Sequence, residues 1–344
     1  MVTRSGAWLF DSHGPPADVL TWHEQELPEP GPGQALVKIR AIGVNRSDLN
    51  YVLGSHFPAR RFPSHLGGEA IGEIVALGPK LDADPPRVGR LQLEVGARVG
   101  TLSGRVDRIS MGVFREYGLY DQAALAPVPD DLSDTEAAGF WTAVFTMAGA
   151  MDMAGFNADS ATGKRVLITA GTSGMGTLGL KLARHWGAIT IGTTRNEGKA
   201  DDLAALADQV IVCDDGDSLI RGMQSADVEQ SADLILDPVG AAFYPALLKA
   251  VASGGHIVSY ECITGGQASL SVMVMMMKDI SIHGYTTFRA FNDPQLLDRL
   301  IDVGLDNVQA LRPVISDRFE LTNAPQALEN LGHSAHFGKL VIEV

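Results

Sequence analysis

Residues 165–199 read RVLITAGTSGMGTLGLKLARHWGAITIGTTRNEGK. An apolar, β-branched run at 166–169 stops at the small residues 170–176, and apolar residues then recur at helical spacing over 178–186. A glycine ends this helix, and a second apolar run follows at 189–192. The pattern predicts a buried strand, a tight turn, an amphipathic helix and a second strand. Because small residues let the backbone approach a ligand and a helix start offers free N–H donors, the turn predicts a dinucleotide pyrophosphate site.

The turn departs from the G-x-G-x-x-G pattern, because Ala170, Ser173 and Gly176 occupy its three key positions. Taken alone, such a loop is equally compatible with an ordinary turn that needs small residues for packing. If it binds a pyrophosphate, we expect Ser173 and the backbone of Gly174, Met175 and Gly176 to form the contact.

The residues after the second strand indicate which dinucleotide is bound. An NAD site favours an acidic residue here for the ribose hydroxyls, whereas this chain has Thr194, Arg195 and Asn196, with Lys199 one turn later. Two basic residues suit a ribose 2′-phosphate, although solvated charges at a helix start would give the same sequence. We predict NADPH as the cofactor, with Thr194, Arg195 and Lys199 holding the adenosine phosphate.

Composition limits the other classes of function. The chain has 344 residues, of which 45% are hydrophobic, enough apolar material for two domains. Its 27 basic and 41 acidic residues give a formal net charge of −14, which disfavours nucleic acid and anionic membranes as partners. The two cysteines, Cys213 and Cys262, cannot form a disulfide framework, and neither a signal sequence nor a long apolar run is present. We therefore expect a soluble, cytoplasmic protein.

The pattern of elements changes along the chain. Residues 1–125 contain short β-branched segments between frequent glycine and proline turns, which predicts a barrel-like β domain. From about residue 134, strands alternate with helices, which predicts a doubly wound parallel sheet. The predicted strands are Arg165–Thr169, Ala188–Gly192, Gln209–Cys213, Ala232–Asp237, His256–Tyr260 and Ile280–Tyr285, and the predicted helices include Lys199–Leu206 and Phe243–Ala252. A helix over Gln295–Val303 and a closing strand, Lys339–Val344, indicate a return to the first domain.

With these elements in place, the chain resembles the medium-chain dehydrogenase/reductase superfamily over nearly its full length, and within it the zinc-free quinone oxidoreductase-like branch. The matching segments are GVNRSD at 43–48, GGEAIG at 67–72, LSDTEAA at 132–138 and FGKLV at 337–341. The resemblance implies an α/β fold in which a Rossmann sheet is inserted into a GroES-like β-barrel domain. We expect the barrel domain at 1–126 plus 291–344 and the NADP(H)-binding domain at 127–290.

The segments that hold catalytic zinc in metal-dependent relatives are altered here. Those relatives read G-x-C-H-x-D and G-H-E, and zinc takes Cys, His or carboxylate ligands. In this chain Asn45 and Arg46 stand at the Cys and His of the first segment, and Gly68 stands at the His of the second. Glu69 remains, and one carboxylate does not make a zinc site. We predict no metal site.

Without zinc to stabilise an alkoxide, a hydride acceptor must spread the developing charge itself, which favours quinones and enones over simple carbonyls. The resemblance places Asn45 and Asp48 beside the nicotinamide, although Asp48 could equally cap a helix. Tyr51 and His56 are alternative proton donors, and water could serve instead. The resemblance also places Thr142 near the nicotinamide and Lys339 at the cofactor, with a surface lysine as the alternative for Lys339.

Two further expectations concern assembly and reaction. The methionine-rich segment 273–277 suits core filling, or else a substrate mouth or subunit interface. The resemblance implies a homodimer through the Rossmann edge strand near 280–288. The first function is NADPH-dependent reduction of a conjugated carbonyl such as a quinone or enone. The alternatives are an enoyl-thioester reductase acting on a CoA or acyl-carrier substrate in a biosynthetic pathway, for which Arg60 and Arg61 are candidate phosphate contacts, and a non-catalytic NADPH-binding module.

Overall fold

The computed structural model describes residues 4–55, 58–80, 91, 93–333 and 335–344. The strands are β1 (Arg4–Phe10), β2 (Leu20–Glu26), β3 (Gln34–Gly43), β4 (Ala70–Leu77), β5 (Arg98–Thr101), β6 (Tyr117–Asp121), β7 (Leu125–Pro127), β8 (Arg165–Ile168), β9 (Ile189–Thr194), β10 (Gln209–Val212), β11 (Ala232–Asp237), β12 (Val251–Ser259), β13 (Ser281–Gly284), β14 (Ile315–Glu320) and β15 (Lys339–Glu343). The α-helices are α1 (Pro16–Val19), α2 (Arg46–Leu53), α3 (Arg108–Met111), α4 (Asp134–Ala137), α5 (Trp141–Met153), α6 (Gly174–His185), α7 (Ala200–Ala204), α8 (Gly216–Ser225), α9 (Tyr244–Ala250), α10 (Val272–Lys278), α11 (Phe288–Asn292), α12 (Pro294–Asp306) and α13 (Ala324–His333).

The chain forms two compact units. The first contains residues 1–142 and 297–344, and the second contains residues 143–296. The sequence placed these boundaries at 126/127 and 290/291. The first boundary lies further along because α4 and the first residue of α5 bond to the first unit: Trp141 Nε1 donates to the carbonyl of Pro127 at 2.8 Å, and Arg98 bonds to Asp134.

The first unit is built on an antiparallel sheet in the order β14-β15-β3-β4-β5-β7, with β6 also paired to β3 and only β14 and β15 running parallel. The closing strand predicted at 339–344 is β15, which pairs with β3 so that Ile342 lies opposite Ile42. Both residues are fully buried in the core of this unit, together with Ile39, Ile74 and Leu328. Apolar burial therefore joins the two ends of the chain in one unit.

The second unit has a parallel sheet in the order β10-β9-β8-β11-β12-β13. The chain runs outward from β8 to β10, then crosses to β11 and runs outward the other way, which creates a switch point next to β8. Each of the predicted strands at 165–285 is present. Their ends differ by a few residues, except that β12 begins at Val251, five residues before the predicted start, and so shortens α9. The doubly wound sheet is confirmed.

The methionine-rich segment forms α10, and most of it is not core. Met273, Met276 and Met277 are 75%, 76% and 80% exposed, whereas Val274 and Met275 pack on the core of the second unit. The core-filling interpretation is wrong for the three exposed methionines, because a single short helix can turn only one face to the sheet. Among the described residues, no helix is both long and apolar enough to cross a membrane.

Candidate active site

The small-residue turn between β8 and α6 is held against the neighbouring strand. Ala170 has a left-handed backbone (φ 51°), and its N–H donates to Thr193 Oγ1 at 3.1 Å. The N–H of Gly171 donates to the Thr193 carbonyl at 2.8 Å. A Cβ on Gly176 would lie 2.5 Å from the Ala170 carbonyl oxygen, so only glycine allows this close approach. Glycine is therefore required at the third position of the motif.

The start of α6 is capped in a way that leaves two N–H groups for a ligand. Ser173 Oγ accepts from the Gly176 N–H at 3.0 Å, and the Thr177 N–H bonds to the Ser173 carbonyl. Gly174 and Met175 occupy the first two helical positions, whose N–H groups have no partner within a helix. The Ser173 side chain thus caps the helix that presents the backbone donors. Its contact with the cofactor stays a prediction, because a hydroxyl that accepts one hydrogen bond can also donate one.

Two basic side chains lie close together after β9. Arg195 is exposed and Lys199 is 8% exposed, at the junction of a short 3₁₀ turn and α7. Burial and the positive charge of Arg195 both lower the pKa of Lys199. Thr194 is buried, and its hydroxyl accepts from the Asn196 N–H at 3.2 Å, so Thr194 shapes this turn. The region is a compact positive patch suited to an anion.

A polar cluster at the carboxyl ends of β8 and β11 was not predicted. Thr169 Oγ1 donates to Asp237 Oδ1 at 2.5 Å, and the N–H groups of Val239 and Gly240 also donate to this carboxylate. Burial raises the pKa of Asp237, while these donors oppose the shift. The carboxylate thereby fixes the loop after β11, at the edge of the sheet where ligands bind in this class of fold. Asp237 ends a predicted strand, a position that could have marked it.

In the first unit, Asn45 belongs to a buried polar cluster. Its side chain Nδ2 donates to Glu69 Oε2 at 2.8 Å and to the Gly43 carbonyl, and its Oδ1 accepts from Lys339 Nζ at 2.6 Å. Lys339 Nζ also forms an ion pair with Glu69 Oε2 at 2.8 Å. Both ends of the Asn45 amide are thus bonded within the protein. Its place beside the nicotinamide stays a prediction.

Lys339 and Thr142 complete the surroundings of Glu69. Lys339 is 4% exposed and forms a buried ion pair, so the surface-lysine alternative is wrong, while its contact with the cofactor stays a prediction. Thr142 lies in the first turn of α5, where its N–H donates to Glu69 Oε1 at 2.7 Å and its hydroxyl lies 3.5 Å from Ser103 Oγ. Both carboxylate oxygens of Glu69 thus accept hydrogen bonds.

Asp48 is fully buried at the start of α2. Its Oδ2 accepts from the Asn45 N–H at 2.9 Å, which is the helix-capping alternative, and its Oδ1 lies 3.8 Å from Arg108. Among the described residues, Oδ1 has no hydrogen-bond partner. Burial raises the pKa of Asp48, against the opposing effects of the Arg108 charge and the Asn45 N–H.

Of the two predicted proton donors, the structure describes only Tyr51. Tyr51 is buried in the core of the first unit, where its hydroxyl lies 2.8 Å from Ser64 Oγ and its ring packs edge-on against Phe10. This corrects its predicted role, because a proton donor must reach the substrate. His56 lies outside the described residues.

The metal position of zinc-dependent relatives has a different chemistry here. Asn45 and Gly68 take the places of sulfur and imidazole ligands, and the ammonium of Lys339 contacts the remaining carboxylate. Within the described ranges, no three His, Cys, Asp or Glu side chains are grouped so as to hold a metal ion.

The doubly wound sheet with its glycine-containing turn, and the separate antiparallel unit, define a two-unit dinucleotide-binding protein. Two family models match in the same order: the alcohol dehydrogenase GroES-like domain at residues 31–130 and the zinc-binding dehydrogenase domain at residues 174–302. The chain belongs to the medium-chain dehydrogenase/reductase superfamily, in its quinone oxidoreductase-like branch. The predicted combination of a GroES-like domain and a Rossmann sheet is confirmed.

Individual relatives cover nearly the whole chain at low identity. Mycoketide-CoA synthase of Mycobacterium tuberculosis is 30% identical over 91% of this chain, which spans only 7% of that protein. A quinone oxidoreductase of Pseudomonas aeruginosa is 25% identical over 97% of this chain and 98% of its own length. Acryloyl-coenzyme A reductase of Metallosphaera sedula is 26% identical over 93% and 95%.

Solved structures give the same fold. A quinone oxidoreductase from Coxiella burnetii has a TM-score of 0.80 and 27% identity, and covers 99% of each chain. The quinone oxidoreductase of Thermus thermophilus, solved also in complex with NADPH, has a TM-score of 0.79 and 21% identity, and covers 98% of this chain and 100% of its own.

Proposed function

We propose that this protein is an NADPH-dependent, zinc-independent reductase that transfers hydride to a conjugated carbonyl such as a quinone or enone. The observation that carries the proposal is the positive patch of Arg195 and Lys199 beside the turn that precedes α6. It lies after β9, the strand whose end binds the adenosine ribose in dinucleotide sites of this type.

The residues of the second unit fit this cofactor. The N–H groups of Gly174 and Met175, with the positive end of the α6 dipole, suit the pyrophosphate. The backbone of the turn occupies the space that a Cβ on Gly176 would need. Arg195 and Lys199 suit a 2′-phosphate, which carries the charge that a ribose hydroxyl lacks. When bound, NADPH supplies the hydride.

Cofactor choice is tested by replacing Arg195. We expect wild-type protein to bind NADPH more tightly than NADH by about 1.5–3 kcal/mol, or roughly 10- to 150-fold, the range for charge-assisted hydrogen bonds. Arg195→Ala should remove most of this preference, measured by quenching of cofactor fluorescence. Arg289→Ala is the matched control, since Arg289 is exposed and follows β13 at the opposite end of the sheet order from β9 and β10. An unchanged preference in Arg195→Ala would contradict the assignment.

The polar cluster of the first unit supports a conjugated hydride acceptor. At the metal position, the polar atoms of Asn45 and Glu69 and two donors of Lys339 are bonded to one another. A substrate whose negative charge is delocalised over a conjugated system needs the least stabilisation from such a site. Hydride adds to an electrophilic carbon of the conjugated system, the negative charge develops on oxygen, and solvent supplies the proton that completes the two-electron reduction.

A second candidate is reduction of an enoyl thioester of CoA or of a carrier protein. It is favoured by the similarity of nearly the whole chain to acryloyl-coenzyme A reductase and to one segment of mycoketide-CoA synthase. In the first unit, burial acts to raise the pKa of Asp107, but hydrogen bonds from Ser110 and Ile109 and the charge of exposed Arg61 together lower it. Arg61 therefore lies near Asp107, where its charge could serve a phosphate-bearing substrate.

One assay separates these functions. NADPH oxidation is followed with a series of quinones, alkenals and enoyl-CoA esters at equal concentration. Faster turnover of quinones or alkenals supports the first function, and faster turnover of enoyl-CoA, lost in Arg61→Ala, supports the second. Cofactor binding without turnover of any acceptor would indicate a non-catalytic NADPH-binding module.

We propose a homodimer that forms through β13 and α10. Strand β13 is the last strand of the parallel sheet in the described chain, so one edge of its backbone is open to pairing. Beside it, α10 exposes Met273, Met276 and Met277, although Lys278 Nζ anchors the helix through three carbonyls, those of Leu248, Lys249 and Val251. An anchored helix with an apolar outer face next to an open strand edge is complementary to a second copy of itself.

Light scattering after size-exclusion chromatography tests the dimer. Wild-type protein should elute as a dimer at micromolar concentration, and Met273→Lys with Met276→Lys should shift it to a monomer. Val95→Lys, at an apolar residue of the first unit that is 64% exposed, should leave the dimer intact. A monomeric wild type would refute the proposal.

A further inference from the structure

Glu69, which the sequence left without a role, joins three separate parts of the first unit. Its Oε2 accepts from Asn45 Nδ2 just before α2 and from Lys339 Nζ at the start of β15, each at 2.8 Å. Its Oε1 accepts from the Thr142 N–H in the first turn of α5 at 2.7 Å. We infer that Glu69 is a positioning residue that fixes the first turn of α5, and that Lys339 is its buried counter-ion.

The contact with α5 is a helix cap supplied by Glu69, which immediately precedes β4 and is distant in sequence. Thr142 is the second residue of α5, so its N–H has no partner within the helix. The acceptor is 73 residues away in sequence. A carboxylate near a helix start also interacts favourably with the positive end of the helix dipole. Glu69 thus provides both a hydrogen bond and a negative charge to this helix start.

The surroundings leave the carboxylate little room to move. The side chains of Lys339 and Glu69 are 4% and 2% exposed. A Cβ on Gly43 would lie 2.8 Å from Glu69 Oε2, and a Cβ on Gly139 would lie 3.0 Å from Lys339 Cγ. The backbone before α5 therefore packs on the stem of Lys339, and the ion pair and the helix start form one rigid group.

The consequence for the reaction rests on the proposed function. By family resemblance, Thr142 is predicted to lie near the nicotinamide. If Glu69 fixes the first turn of α5, loss of the hydrogen bond to its Oε1 should loosen that turn even in a protein from which the ion pair has already been removed. If only the ion pair matters, loss of this hydrogen bond should make no difference once the ion pair is gone.

Two double variants separate these possibilities, because both remove the ion pair. Glu69→Gln with Lys339→Met keeps an amide oxygen that can accept from the Thr142 N–H, and Glu69→Leu with Lys339→Met does not. Replacing both charges by groups of similar volume avoids an unpaired buried charge, so both variants should fold. Thermal unfolding of each checks this directly.

Hydrogen exchange measured by mass spectrometry on the protein without cofactor is the first readout. We expect the amides of 142–145 to exchange about fivefold faster in the leucine variant than in the glutamine variant, the factor for about 1 kcal/mol of one hydrogen bond. Peptides from β12 should exchange equally in both. Equal exchange at 142–145 would overturn the inference, whether or not the protein is a reductase.

Steady-state kinetics with NADPH is the second readout. The leucine variant should have a several-fold lower kcat than the glutamine variant, with a smaller difference in the KM for NADPH, since one turn near the nicotinamide is loosened while the adenosine end is unchanged. If wild-type protein shows no turnover, the proposed function fails, and the exchange result alone decides the role of Glu69. Equal kcat values in two active variants would overturn the link to the reaction.

Discussion

Replacing Lys339 alone by methionine should destabilise the first unit strongly. Methionine has a similar length but no charge, so the change leaves the Glu69 carboxylate buried without its counter-ion and removes the donor to Asn45 Oδ1. With both side chains at most 4% exposed, water cannot replace the lost contacts. Breaking a buried ion pair by removing one partner costs about 3–5 kcal/mol. For a unit of this size, the midpoint of thermal unfolding falls by about 2–4 °C for each kcal/mol of lost stability. The midpoint of Lys339→Met should therefore fall by about 6–20 °C.

The matched control is Arg40→Met in the same unit. Arg40 and Glu73 also lie 2.8 Å apart, but their side chains are 40% and 38% exposed. An exposed pair of this kind contributes at most about 1 kcal/mol. Thermal unfolding followed by circular dichroism should therefore separate the two variants clearly. A fall in Lys339→Met no larger than that in Arg40→Met would refute the reasoning that burial makes the difference.

Three further outcomes are expected. Burial and the Arg115 charge lower the pKa of His65 to about 4, so the unfolded chain binds the proton first as the pH falls below 6.5. Urea unfolding should accordingly show wild-type protein losing about 2 kcal/mol more than His65→Gln between pH 7 and pH 5. Gly176→Ala places a Cβ against the Ala170 carbonyl and should weaken NADPH binding at least about tenfold, whereas Gly284→Ala, with open space around its Cβ, should not. Metal analysis should find well under one equivalent of zinc, and a chelator should leave activity unchanged, because an ammonium and an amide occupy the metal position.

Local patterns made much of the second unit predictable. The strands of the doubly wound sheet are short apolar runs, and the turn before α6 carries its small residues in sequence, so neighbouring residues contain the information. The exposed methionines of α10 were not predictable in this way. Hydrophobicity alone does not say whether an apolar helix faces its own core or is left for another surface.

The role of each polar residue depended on its partners. Tyr51 was a reasonable proton donor by position, but its ring lies in the core because β1 brings Phe10 against it. Ser173 was predicted as a cofactor contact, and the structure adds that its hydroxyl caps the first turn of α6. For Asp48, the sequence left helix capping open as an alternative, because the N–H that its carboxylate caps belongs to Asn45, only three residues away.

The sequence by itself determined the parallel sheet and the place of the dinucleotide turn, because each depends on residues close together in the chain. Only the tertiary structure decided the chemistry at the former metal position. Lys339 is 270 residues from Glu69 and 294 from Asn45, and β15 must pair with β3 before the ammonium can reach them. A hydrogen bond acts over about 3 Å, so contacts between such distant segments exist only once the fold has brought them together.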